Sequence, residues 1–122
     1  MRRTLLKSKI HRAKVTAANL HYEGSLGLDE DLIEAADLVP FEKVHIYNVS
    51  NGARFSTYII KEPRGSGKVG IYGAAAHKVR PDDLLIIAAY AAFDEDEIEG
   101  WTPKVVHVDS ENRVKNRSRT SA

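Results

Sequence analysis

The sequence predicts a small, mainly β protein: a barrel of short strands with one or two short helices. Three observations carry that class. Short β-compatible runs follow one another at close spacing, divided by Gly, Pro and Asn turn signals. Only one segment carries full helix punctuation, and it is short. The run Leu84-Leu85-Ile86-Ile87-Ala88-Ala89-Tyr90 is apolar on both faces, the pattern of a central buried strand. No internal repeat or low-complexity stretch interrupts this organisation.

In chain order, Thr4 to Ala13 mixes β-compatible and charged residues, and Lys14-Val15-Thr16 continues it. Leu20 to Leu28 is β-like but broken by Gly24 and Gly27, where glycine marks a bend, a bulge or a close backbone approach. Asp29 reads as a helix N-cap, with Glu30 and Asp31 in the first turn, where the helix dipole favours acids. Leu28 and Ile33 are placed to form a hydrophobic staple. Leu32, Ala35, Ala36 and Val39 supply an apolar stripe, and Pro40 reads as the stop.

Lys43 to Val49 then reads as a strand. Asn51-Gly52 is a hairpin signal, because both residues accept positive φ. Ala53 to Ile60 returns as the partner strand, with Arg54, Ser56, Tyr58 and Ile60 on one face and Phe55, Thr57 and Ile59 on the other. Pro63 to Gly67 is a turn, Lys68 to Tyr72 a short strand, and Gly73-Ala74-Ala75-Ala76 a tight segment. Arg80 to Asp83 turns the chain into the central strand. Residues 94–99 read as a short helical turn and Lys104 to Val108 as the last strand. The barrel is expected over residues 1–109 as one domain, with 110–122 a disordered tail.

Composition excludes several classes. Of 122 residues, 43% are hydrophobic and 29% charged, the balance of a soluble globular domain. Lys and Arg number 18 against 17 Asp and Glu, so the net charge of +1 fits neither a polybasic nucleic-acid wrapper nor an acidic tail. Cysteine is absent, which removes disulfides, thiolate zinc sites, iron–sulfur clusters and a cysteine nucleophile, and leaves any redox compartment open. The N-terminal residues hold no apolar run long enough for a signal peptide or membrane span, so the cytoplasm is the expected compartment.

Charge order is more telling. Residues 1–14 carry six basic and no acidic side chains, whereas 29–42 and 94–99 are acidic. Such blocks read either as solvated faces or as segments that meet.

The motifs narrow the chemistry. Gly65-Ser66-Gly67-Lys68-Val69-Gly70 spells a dinucleotide fingerprint but precedes no real helix, and no acid stands about 20 residues on, so it reads as a turn. Val69 also occupies the place of the Ser or Thr that a phosphate loop needs for magnesium. The histidines, His11, His21, His45, His77 and His107, have no metal-ligand spacing, and no metal is expected. A nucleophile elbow is absent. Gly24-Ser25, inside a strand-like run, leaves two readings. One is a β-bulge. The other is self-cleavage: the Ser25 hydroxyl attacks the carbonyl carbon of Gly24, whose missing side chain leaves that carbon open and tolerates strained dihedrals.

Three blocks carry a resemblance. They are Lys9-Ile10-His11-Arg12-Ala13-Lys14-Val15-Thr16 running into Leu20-His21-Tyr22-Glu23-Gly24-Ser25; Asn51-Gly52-Ala53-Arg54-Phe55-Ser56-Thr57-Tyr58; and Arg64-Gly65-Ser66-Gly67 followed by Gly73-Ala74-Ala75-Ala76-His77. In order and spacing the chain resembles the bacterial aspartate decarboxylases, pyruvoyl-dependent enzymes that make β-alanine for pantothenate. The resemblance covers about residues 2–109.

That resemblance implies a six-stranded double-psi β-barrel, assembled as a homotetramer with active sites between subunits. It implies cleavage after Gly24 into chains 1–24 and 25–122. The resulting ester eliminates to dehydroalanine, and hydrolysis with loss of ammonia leaves a covalent pyruvoyl group derived from Ser25. L-aspartate would form a Schiff base there, and the conjugated system would accept electrons as CO₂ leaves. Tyr58 would return a proton to the α-carbon. Lys9 and Arg54 would hold substrate carboxylate, Arg54 through its bidentate fork. Thr57 would donate to the Gly24 carbonyl during processing and contact substrate afterwards. Backbone amides of Gly73, Ala74 and Ala75 would bind substrate, with His11, Tyr22 and Ile86 as further lining. Neither nucleic acid nor membrane is an expected partner; a maturation factor stays an open class.

Two points resist the resemblance. Arg54 and Tyr58 share one strand face while Thr57 points to the other, so one flat strand cannot aim all three at a single pocket. A local twist or a subunit boundary would resolve this. The family usually has Asn before Gly-Ala-Ala-Ala-His, and here the residue is Tyr72. Tyr72 is also the support for an alternative, a non-catalytic barrel that binds a ligand or partner. A small-barrel nucleic-acid binder is the other alternative, though residues 1–14 contain no stacking aromatic.

Overall fold

The computed structural model describes residues 1–118. Its elements are β1 (Arg2–Lys14), β2 (Ala17–Asn19), β3 (Ser25–Asp29), α1 (Glu30–Ala35), β4 (Lys43–Asn48), β5 (Arg54–Glu62), β6 (Val69–Tyr72), a 3₁₀ turn (Gly73–Lys78), β7 (Leu84–Asp94), α2 (Glu95–Ile98), β8 (Lys104–Val108) and β9 (Val114–Ser118). The described strands form one mixed sheet in the order β2-β6-β3-β5-β4-β7-β1-β8-β9. The mainly β class with short helices is therefore the one the sequence predicts, and it is consistent with a small β-barrel. The strands number nine among the described residues, because short β2 and terminal β9 also pair. Three pairings are parallel, β1 with β8, β2 with β6 and β3 with β5, so the chain is not a simple meander of hairpins.

β7 is the central strand the apolar run announces: it pairs antiparallel with β1 on one side and β4 on the other. β5 joins the two halves of the sheet. Its first residues, Arg54 to Tyr58, pair with β4, and Ile59 to Glu62 pair with β3. The core behind these strands is aliphatic, with Ile10, Leu26, Leu32, Ile46, Ile59 and Ile71 fully buried.

The helix starts where predicted and stops early. The Asp29 side chain accepts from the Asp31 N–H, but α1 ends at Ala35. Asp37 takes a left-handed φ of 57°, and the N–H groups of Asp37 and Leu38 return to the carbonyls of Glu34 and Ile33. That is a Schellman closure with aspartate in the usual glycine place. Val39 is consequently past the helix and 61% exposed rather than part of the apolar stripe, and Pro40 does not act as the stop. The β4–β5 connection also departs from the prediction. Only Gly52 takes positive φ, at 80°. The Asn51 side-chain oxygen instead accepts from the Ala53 N–H at 2.8 Å, and its amide donates to the Lys78 carbonyl at 3.0 Å. Side-chain hydrogen bonding of this kind replaces the two-residue turn.

The opposite-charge segments do meet. Arg2 pairs with Asp94 at 3.4 Å, Arg3 with Glu95 at 2.7 Å and Lys7 with Glu42 at 2.9 Å. Arg64 gathers Glu30, Asp31 and Glu34 of the acidic helix. Most of these pairs are exposed and add little stability each.

The expected disordered tail needs correction over residues 110–118. Asn112 is buried; its side-chain oxygen accepts from the Lys14 N–H at 2.7 Å and its amide donates to the carbonyls of Lys14 and Gly67 at 2.8 and 2.9 Å. These bonds fold β9 back on β8. The last four residues, 119–122, lie outside the described residues.

Asp29 has a second task. Besides capping α1, its carboxylate accepts from the N–H groups of Gly65 and Gly67 at 3.0 and 2.9 Å, and the residue is 3% exposed. Asp29→Ala would leave three backbone donors without that acceptor. We expect a loss of roughly 3 kcal/mol, read as a lowered urea midpoint with unchanged slope.

Candidate active site

Ser25 is the first residue of β3, and its position follows from two pairings. β3 lies antiparallel to β6, with Ser25 opposite Tyr72 and Gly27 opposite Gly70. On its other edge β3 runs parallel to β5, with Leu26 opposite Ile59. Leu26 and Leu28 are fully buried, so the strand is anchored immediately downstream of the serine. Ser25 itself is 3% exposed, whereas Gly24 is exposed.

Gly73 presses on Gly24. It has φ of 79°, and a Cβ built on it would lie 2.6 Å from Gly24 Cα and 2.7 Å from Gly24 N. Residue 73 thus needs glycine twice, for its left-handed backbone and for the absent side chain. Of the bend, bulge and close approach that the glycines of this run left open, the structure shows a close approach at Gly24, and its partner is Gly73. Ala74 and Ala75 follow Gly73 in the 3₁₀ turn.

An open cleft of about 710 Å³ lies in front of Ser25, lined among others by Tyr22, Tyr58, Glu62, Lys68 and Tyr72. The Tyr72 hydroxyl donates to Glu62 Oε2 at 2.8 Å. Burial and that carboxylate push the Tyr72 phenol up to about 12, so it stays a neutral donor in any ordinary buffer. The Tyr22 ring stands 5.6 Å from the Tyr72 ring. Tyr58 is 37% exposed and lies against Phe41, ring centres 6.4 Å apart.

The remaining sequence candidates lie elsewhere on the single chain. Arg54 lines a different concavity with His45 and Tyr47, its guanidinium 4.7 Å from the Tyr47 ring centre. Thr57 is half-buried on the strand face opposite Tyr58, as alternation requires, and is paired across to Val44. Lys9 sits mid-strand in β1, opposite Ala88 and Val105. His11 lines a third concavity with His107, the rings 5.6 Å apart, and burial followed by the charge of Lys9 lowers its pKa. Ile86 is in β7, opposite Tyr47. The single chain thus brings together Ser25, Tyr58, Tyr22 and the Gly73 segment, and leaves Lys9, Arg54, Thr57, His11 and Ile86 apart from them.

Glu62 and Lys68 line the cleft and were not singled out from sequence. The signal for Glu62 was present: the period-two count that puts Tyr58 and Ile60 on one face puts Glu62 there too.

Fold and site define a small mainly β enzyme whose cleft opens at the head of a strand. The profile of the family described as Aspartate decarboxylase matches residues 1–115. The aspartate 1-decarboxylase of Syntrophus aciditrophicus is 59% identical over 116 residues, covering 95% of this chain and all of that one. That of Ralstonia pickettii is 53% identical, covering 94% and 96% of the two chains, and that of Syntrophobacter fumaroxidans is 58% identical, covering 93% and 91%. The chain belongs to the aspartate decarboxylase family.

Proposed function

We propose that this chain cuts itself between Gly24 and Ser25, carries a pyruvoyl group made from Ser25, and decarboxylates L-aspartate to β-alanine and CO₂. The observation that carries the reading is the setting of the bond. A buried serine heads an anchored strand in a cleft with Tyr58, behind an exposed glycine held against Gly73.

The residues present fit the group. In processing, the Ser25 hydroxyl oxygen bonds to the Gly24 carbonyl carbon, the C–N bond breaks, and the nitrogen of residue 25 takes the proton. Elimination then takes the Cα proton of residue 25 to water as the Cβ–O bond breaks and Gly24 leaves as a carboxylate; the enamine that remains tautomerises to an imine, to which water adds as the nitrogen leaves as ammonia. Cleavage does not disassemble the fold, because residues 1–24 stay paired through β1 with β7 and β8 and through β2 with β6. Once formed, the pyruvoyl group supplies an electrophilic carbonyl and an electron sink, which no ordinary side chain offers.

The chain's own residues do the rest. Tyr58, in the same cleft, is the donor that returns a proton to the α-carbon. Amides of Gly73, Ala74 and Ala75 orient the substrate. Lys9 and Arg54 hold carboxylate, and Thr57 donates to the Gly24 carbonyl. A homotetramer with sites at subunit boundaries is the arrangement that brings these last three to Ser25. The exposure of Tyr22 at 62% and Phe41 at 76% supports such an interface. No described helix is long and apolar enough to cross a membrane.

Intact mass of freshly purified protein under denaturing conditions tests the reading. The expected result is two species, residues 1–24 and 25–122, the larger lighter by one ammonia than hydrolysis alone would give. The same preparation should release CO₂ from L-aspartate. A single full-length species after prolonged warming, with no release, would overturn it.

A further inference from the structure

Opposite residues of an antiparallel pair place their side chains on one face. Ser25 and Tyr72 are such a pair, and Gly27 and Gly70 are the next pair on that face. A tyrosine opposite the serine has two directions open to it. It leans along the strand, over the glycines, or it swings across onto Ser25.

The structure shows the first. A Cβ on Gly70 would lie 2.6 Å from Tyr72 Cζ, and one on Gly27 would lie 2.8 Å from Tyr72 Cε2 and 3.1 Å from Glu62 Cδ. The nearest atoms at both glycines belong to Tyr72 and Glu62. Both strand positions therefore lack a side chain where this ring and this carboxylate lie. At its far end the Tyr72 hydroxyl donates to Glu62 at 2.8 Å, at the last residue of β5.

We propose that Glu62 is a positioning residue for self-cleavage: it clasps the Tyr72 hydroxyl and so holds the ring over Gly27 and Gly70 and off Ser25. The inference rests on the self-cleavage reading and explains how a bulky ring is accommodated opposite Ser25. In this role Glu62 acts through Tyr72, to which it is hydrogen-bonded, and not on the reacting atoms themselves. Without the clasp, or with a methyl group at residue 70, the ring loses its seat and turns to the space in front of Ser25.

The test is the rate of appearance of chains 1–24 and 25–122, followed by denaturing mass measurement on full-length precursor. Glu62→Ala and Gly70→Ala are each expected to slow cleavage by at least about tenfold, the scale of one lost hydrogen bond to a carboxylate. Adding Tyr72→Ala to either is expected to restore the rate, because the obstructing ring is gone. Glu62→Gln keeps an acceptor and should cleave close to the unmodified rate. A merely structural contact predicts the opposite for the double variants, since a second cavity deepens the defect. Single variants that cleave at the unmodified rate, or doubles that fail to recover, overturn the proposal and leave the self-cleavage reading standing. An unmodified protein that never cleaves overturns both.

Discussion

Ser25→Ala should give a single uncut chain with no decarboxylation above background. The hydroxyl is the only group removed, and the reading assigns its oxygen both the attack on Gly24 and the Cβ–O bond whose elimination turns residue 25 into the prosthetic group. Stability should change by no more than about 1 kcal/mol, because β3 is held by its pairings and by buried Leu26 and Leu28 rather than by the serine oxygen. Intact mass, urea unfolding and CO₂ release from L-aspartate measured on one preparation separate these expectations. A variant that is still cut after residue 24 would show that the bond breaks by another route, and the assignment of Ser25 would fall.

Gly73→Ala is expected to act on both stability and processing. The backbone there has φ of 79°, where an L side chain costs about 1–2 kcal/mol. The added Cβ also meets Gly24 main chain at 2.6 Å, and main chain cannot rotate away as a side-chain tip can. Together we expect a loss of about 2–4 kcal/mol and a chain that stays largely uncut, because Gly24 must shift to relieve the contact. Gly52→Ala is the internal control. Its φ is 80°, nearly the same, but a Cβ there meets nothing within 4 Å. It should pay the dihedral cost alone and leave cleavage unchanged. If the two variants behave alike, the contact with Gly24 has no role.

The candidate site divides along the same line between local and distant information. Gly24-Ser25 stands out in the sequence because the proposed self-cleavage needs the two residues adjacent. Tyr58 and Ile60 could be placed on one face because a strand alternates every second residue. Where Tyr72 would go was not legible, since its direction depends on Gly70 two residues before it, Gly27 across the ladder and Glu62 on a third strand. The separation of Arg54 from Ser25 was half legible: alternation raised the conflict with Thr57, but only the pairing pattern shows Arg54 in another concavity.

By itself the sequence determined the mainly β class, the strand and turn punctuation, the Asp29 cap and the central β7. Each of these depends on backbone preferences and hydrogen bonds within about four residues, which a linear reading contains. The tertiary structure decided the rest: the early end of α1 at Asp37, the β9 hairpin tied down by buried Asn112, the press of Gly73 on Gly24, and the seat of Tyr72 under the hold of Glu62. These join residues far apart in the chain, and their register is set by which strands find each other when the whole core is buried. That pairing is a collective property of the sheet, so no short window of sequence carries it.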